Sequence, residues 1–167
     1  MGKKIMQAAY RTGEFTLSSG RKSDYIFDKY AFETRPGLLG AITDLLAEMV
    51  PPETKRLAGM EIGGIPLATA LSIKTGLPFV IIRKAPKGHG ITRQIEGQLS
   101  EGEEVLLIED VVTTGGQSVT GTDTLRAAGA TVNKVLCVID REEGGREHIE
   151  SKGLAFDALF TKSALTA

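Results

Sequence analysis

VLLIEDVVTTGGQS, residues 105–118, decides the fold. Its first four residues are apolar with no polar alternation, as in a strand covered on both faces. Two acids, Glu109 and Asp110, close that strand, and a Thr/Gly-rich turn follows. A helix starts near Gly116, with Val119, Thr122, Leu125 and Ala128 at helical spacing and Gly129 placed to cap it. In open α/β sheets ligands bind beyond the carboxyl ends of strands. A Gly-rich turn entering a helix presents free backbone N–H groups and the positive end of the helix dipole, and Thr113, Thr114 and Ser118 add hydroxyl donors. The combination is a phosphate cradle. The two acids cannot serve the same phosphate, because like charges repel. They suit ribose hydroxyls, which donate to carboxylates, or a magnesium ion. The stretch matches neither the GxxxxGKS/T loop nor the GxGxxG fingerprint.

Outward from this unit the chain alternates. Apolar runs at 57–62, 79–82, 105–108, 135–139 and 155–160 are separated mostly by helical stretches at about 65–75, 116–128 and 145–152. Such alternation predicts an α/β fold, a parallel five-stranded sheet flanked by helices. Upstream, Pro36 opens a helix with Leu38, Leu39, Ile42, Leu45, Leu46 and Met49 at helical spacing, stopped by Pro51-Pro52. Residues 4–11 are weakly amphipathic, and Phe15–Leu17 and Tyr25–Phe27 read as extended segments around the turn SSGRKS. No internal repeat or linker marks a second domain, so residues 1–167 are expected to form one.

Composition removes other classes. Glycine, 20 of 167 residues, is enriched, but without a Gly-X-Y period and with only 6 prolines the chain is neither collagen-like nor low-complexity. The single cysteine, Cys137, can form neither an internal disulfide nor a cysteine-rich zinc site, and its apolar neighbours predict a core thiol. No apolar run reaches the ~18 residues of a membrane span. The basic N-terminus lacks the apolar stretch of a signal peptide, so a reducing cytoplasmic location is expected. A net charge of −1 gives no global pull towards nucleic acid. His148 sits on a polar helix without a ligand partner at metal-binding spacing and reads as structural.

One connection breaks the alternation. Residues 83–104, RKAPKGHGITRQIEGQLSEGEE, hold no convincing helix, and a loop that long is usually functional or disordered. Residues 81–95 carry four cations, one histidine and no acid, whereas residues 96–110 carry six acids and no cation. Preorganised cations stabilise charge gathering on a leaving group, and closure of such a loop excludes water.

The run VLLIEDVVTTGGQS resembles the phosphoribosyl-pyrophosphate (PRPP) motif of type I phosphoribosyltransferases, and RKAPKGHG, residues 83–90, resembles the RKxxKxHG catalytic loop of the orotate phosphoribosyltransferase family. The resemblance covers residues 10 to 162. It implies a small N-terminal hood over residues 1–35 and a long flexible catalytic loop over 83–104 that reaches a neighbouring subunit's site in a homodimer. It assigns Glu109 and Asp110 to the ribose hydroxyls. It assigns the 5′-phosphate to Val111, Val112, Thr113, Thr114, Gly115, Gly116, Gln117 and Ser118. Arg83, Lys84, Lys87 and His89 go to the pyrophosphate, with His89 or Lys87 as the candidate proton donor, and Lys84, Lys87, His89 and Asp110 as the catalytic set.

FTLSSGRKSDYIF, residues 15–27, resembles the family's base-binding segment, which implies roles for Ser19, Gly20, Tyr25 and Phe27. Many members carry lysine where this chain has Ser18. GMEIGGIPLA, residues 59–68, resembles the pyrophosphate loop. Some members carry lysine at the place of Gly63, which leaves the amides of Ile62, Gly63 and Gly64 as donors here. In VIDREEGG, residues 138–145, Arg141 holds the place of an arginine that pairs with the orotate carboxylate, and Thr113 joins it at the base. The substrates implied are PRPP and orotate, and the cofactor is Mg²⁺ carried by PRPP rather than by a protein cage. Two alternatives stay open: a transferase acting on a purine, and a regulator of the same fold that senses PRPP or nucleotides. Residues 1–167 leave little room for a DNA-reading element.

Overall fold

The computed structural model describes residues 1–16, 22–84 and 94–166, with only the backbone at Ser23 and Asp24. Ser18, Ser19, Gly20, Lys87 and His89 lie outside the described residues. A six-stranded sheet forms the centre, in the order β5-β4-β3-β6-β7-β8. Its strands are β3 (Arg56–Met60), β4 (Phe79–Ile82), β5 (Ile95–Glu96), β6 (Glu104–Val112), β7 (Thr131–Asp140) and β8 (Ala155–Thr161). All neighbours pair in parallel except β4 and β5.

The sequence predicts five strands, and the sixth is the correction. β5 comes from inside the long connection and pairs Ile81 with Glu96 and Ile82 with Ile95. The Arg83 N–H donates to Gln94 O at 2.8 Å and closes the pairing. Two residues are too few to show a period, yet they cap an edge that would otherwise expose unpaired backbone groups.

β6 holds the middle of the sheet because both of its faces are apolar. Val105 and Leu107 pack on one side with Ala58, Val80, Val135 and Leu125 of α5 (Gly116–Ala127). Leu106 and Ile108 pack on the other with Ile42 and Leu46 of α3 (Pro36–Ala47) and Leu67 and Leu71 of α4 (Gly64–Thr75). Each fully buried Leu or Ile is worth roughly 1.5–3 kcal/mol, so alternate residues of one strand anchor both helical layers. Cys137 is buried in the first layer. β6 runs past the acids expected to close it, Glu109 and Asp110, because Val111 and Val112 still pair with Ile139 and Asp140 of β7. The two acids therefore sit inside the strand.

The N-terminal part is α1 (Gly2–Ala9), followed by the antiparallel pair β1 (Tyr10–Thr16) and β2 (Lys22–Phe27). A short helix, α2 (Tyr30–Glu33), leads into α3, where Pro36 occupies the first turn, a position that needs no N–H donor. From β3 the chain moves outward to β4, and from β6 it moves the other way to β7 and β8. The carboxyl ends of β3 and β6 therefore flank a topological switch point, the place where open α/β sheets hold ligands. The remaining helices are α6 (Gly145–Glu150) and α7 (Lys162–Thr166).

Candidate active site

The turn after β6 is shaped by close backbone approach. Gly115 is left-handed (φ +75°), and a Cβ there would stand 2.8 Å from Gly145 O at the start of α6. His148 of α6 lies with Nδ1 2.9 Å from Thr114 O, so the histidine read as structural braces the turn. Thr113 to Ser118 line a cavity of about 400 Å³ together with Phe27, Lys29, Lys84, Glu109, Val111, Val112 and Arg141. Ten of the predicted site residues between 83 and 118, and Arg141 just past β7, thus share one wall.

The acids part company because successive strand residues face opposite sides. Glu109 turns towards α5 and accepts from Ser118 Oγ at 2.9 Å; only 5% of it is exposed. Burial, then the charge of Asp110, pushes its carboxyl up to about 7, against the pull of Ser118. Asp110, 3% exposed, turns towards α2 and α4. Its Oδ1 accepts from the Val111 N–H at 2.6 Å, and its Oδ2 pairs with Lys29 Nζ at 2.5 Å.

Gly63, the N-cap of α4, has ordinary helical angles (φ −68°, ψ −28°), so its glycine is a matter of space. A Cβ there would lie 1.5 Å from Asp110 Oδ2 and 2.9 Å from Glu33 Oε1. No side chain fits at 63 while Asp110 holds this position. Gly63 and Gly64 are buried, and Ile62 is 56% exposed. Glu33, 2% exposed, brings a second carboxyl to the same point, and burial followed by the Asp110 charge raises it to about 8. Burial draws the Lys29 ammonium down, but the pull of the Asp110 carboxylate outweighs it and holds the group above its ordinary range.

Arg141 is pinned by its N–H to Val112 O at 2.9 Å. Its guanidinium reaches Glu143 Oε1 at 2.8 Å and the Tyr25 hydroxyl at 3.4 Å, while Nε is buried without a partner among the described residues. Tyr25 stacks on Tyr10 with ring centroids 5.3 Å apart. Tyr25, Phe27 and Arg141 also line a smaller, apolar cavity of about 60 Å³ that adjoins the first and includes Lys162. On the other side, Arg83 and Lys84 line a third cavity of about 240 Å³ with Gly116 and Gln117. The Lys84 N–H donates to Glu61 Oε2 at 2.9 Å. Among the described residues no cluster of three or more His, Cys, Asp or Glu side chains is arranged to hold a metal ion.

Lys29 and Glu33 escape sequence reasoning. A charged pair beside a short apolar segment reads as a solvated face, and their partner is remote in sequence. The one available signal is that both fall on the same side of a single helical turn.

Comparison with known proteins agrees with this geometry. A family model described as "Phosphoribosyl transferase domain" matches residues 33–154. The orotate phosphoribosyltransferase of Methanocella arvoryzae is 52% identical over 157 residues, covering 94% of this chain and 90% of that one. The crystal structure of the Aeropyrum pernix orotate phosphoribosyltransferase superposes with a TM-score of 0.88 at 30% identity, covering 99% of this chain and 96% of that one. The Mycobacterium tuberculosis orotate phosphoribosyltransferase, solved in complex with PRPP, superposes with a TM-score of 0.84 at 27% identity over 99% and 96% of the two chains.

Proposed function

The chain belongs to the orotate phosphoribosyltransferase family, and on that premise we propose that it transfers ribose 5-phosphate from PRPP to orotate. The products are orotidine 5′-monophosphate and pyrophosphate, a step of pyrimidine biosynthesis. One observation carries this: at the switch point of the sheet, a Thr/Gly cradle, the buried Glu109 and Arg141, whose Nε has no partner among the described residues, line one cavity, with Asp110 buried next to Glu109.

The cradle, Thr113 to Ser118, takes the 5′-phosphate through backbone N–H groups and hydroxyls. Glu109 and Asp110 take the ribose hydroxyls. Arg141 meets the orotate carboxylate with two parallel hydrogen bonds, a geometry lysine cannot copy, and Tyr25 and Phe27 flank the base. Holding both ends of the reacting bond supplies the positioning component of catalysis. Arg83 and Lys84, with Lys87 and His89 of the loop, stabilise the departing pyrophosphate, and His89 or Lys87 gives it a proton. Mg²⁺, carried by PRPP rather than by a protein cage, would offset diphosphate charge when bound. The loop serves a neighbouring subunit in a homodimer, and the buried thiol of Cys137 suits a reducing cytoplasm.

The test mixes the protein with PRPP and Mg²⁺ and, separately, orotate, uracil, adenine, guanine, hypoxanthine and xanthine, and measures pyrophosphate. Orotate-dependent release is expected. Release with a purine but not orotate overturns the base assignment, and the absence of release with every base overturns the enzymatic reading.

A further inference from the structure

Lys29 stands where three parts of the site meet. It immediately precedes α2, its ammonium lies 2.5 Å from Oδ2 of Asp110 in β6, and it borders the cavity that holds the 113–118 cradle. Each oxygen of the carboxylate beneath it already has a partner, Oδ1 the Val111 N–H and the buried Oδ2 Lys29. A sugar hydroxyl reaches a carboxylate by donating to one of its oxygens. To reach Oδ2 of Asp110 it must share or displace the ammonium.

Lys29 is built to be displaced. Its side chain is 33% exposed, against 4% for that of Asp110, and a lysine stem is flexible and ends in three donors. The substrate proposed above brings two anionic groups. The 5′-phosphate has the cradle. Lys29 meets Asp110 at the oxygen nearest Gly63 and the N-terminus of α4, where a Cβ at 63 would touch the same Asp110 oxygen that Lys29 holds. The amides of residues 62–64 are the donors that the family resemblance gives to the pyrophosphate, so a cation beside Gly63 suits the diphosphate end of the sugar.

We propose that Lys29 is a substrate-binding residue of this site. It neutralises Asp110 while the site is empty and passes to the diphosphate of PRPP as the ribose hydroxyls take over the carboxylate. Two effects of losing it run in the same direction: an attraction for the diphosphate disappears, and Asp110 is left buried and unpaired beside Glu33 and Glu109, repelling the incoming anion.

The inference rests on PRPP being the substrate, and its test separates the two. PRPP binding to wild type, Lys29→Gln and Lys29→Arg is measured by calorimetry at two salt concentrations, alongside the KM for orotate. We expect Lys29→Gln to weaken PRPP by at least about tenfold and to lose part of the salt dependence. Lys29→Arg should stay within about threefold of wild type, and the orotate KM should change little. In wild type, PRPP should shield Lys29 from an amine-acylating reagent, a readout that needs no variant to fold. Unchanged PRPP affinity in Lys29→Gln, or undiminished acylation of Lys29 under saturating PRPP, overturns the role. A wild type that binds no PRPP overturns the proposed function and this inference with it.

Discussion

Gly63→Ala tests whether the site depends on a side chain being absent. Alanine suits the backbone there, at φ −68° and ψ −28°, so the change adds one methyl and no torsional strain. That methyl would fall 1.5 Å from Asp110 Oδ2 and 2.3 Å from Cγ, whereas ordinary contact begins at 3.4 Å. The carboxylate must therefore withdraw by roughly 2 Å, a displacement at which well-placed catalytic groups lose about 10²-fold. Withdrawal also breaks the contact with Lys29, and forced overpacking costs roughly 1–3 kcal/mol. We expect kcat/KM for orotate-dependent pyrophosphate release to fall at least ~100-fold, and urea unfolding to show a loss of about 2 kcal/mol. Gly40→Ala is the control: it lies exposed in α3 with nothing within 4 Å of its would-be Cβ, and should gain about 0.5–1 kcal/mol at full activity. A Gly63→Ala enzyme that behaves like Gly40→Ala would refute the steric argument and the position assigned to Asp110.

Glu33→Gln should flatten the pH dependence of stability. With its folded-state pKa raised from 4.5 to about 8, Glu33 holds its proton more tightly when folded. Its contribution is fully present below 4.5, is lost at up to about 1.4 kcal/mol per pH unit as pH rises towards 8, and is gone above that; equal slopes for wild type and variant in urea titrations would count against it. Ser118→Ala removes a donor that lowers the Glu109 pKa, so the acid limb of kcat/KM for PRPP should move to higher pH, and an unmoved limb would mean Glu109 does not need its charge. Arg141→Lys should raise the orotate KM at least ~10-fold while PRPP affinity stays within about threefold; a PRPP defect of equal size would place Arg141 elsewhere in the reaction.

The parts of this fold legible in sequence are those where burial writes a pattern. β6 reads as a doubly covered strand because Val105 to Ile108 are apolar on both sides, and α3 reads from its periodicity and its Pro51-Pro52 stop. What stays hidden is short or distant. β5 pairs through two residues, and α2 is a single turn whose Lys29 and Glu33 matter only through Asp110, far along the chain. Position 63 shows both sides of this. The sequence records that a cation some relatives carry is missing, but only the packing shows that Asp110 fills the space and that Lys29 brings an ammonium to it from another element.

The charge pattern along the chain undergoes a similar revision. Six acids between 96 and 110 follow four cations between 81 and 95, which suggests two opposed fields at the site. Folding spends most of that acidity elsewhere: Glu96 lies 3.9 Å from Arg83, Glu103 pairs with Arg56 at 2.8 Å, and Glu104 accepts from Asn133 at 3.2 Å. Glu109 and Asp110 reach the site, where they meet Lys29, Lys84 and Arg141. Glu33 would tip that balance if it ionised, and burial against Asp110 keeps it protonated near neutral pH. A site for a substrate with two phosphate-bearing ends thus keeps two carboxylates for hydroxyls and silences a third. By the same logic, PRPP affinity should weaken as pH rises past about 8 in wild type, where Glu33 gains charge, and should not in Glu33→Gln.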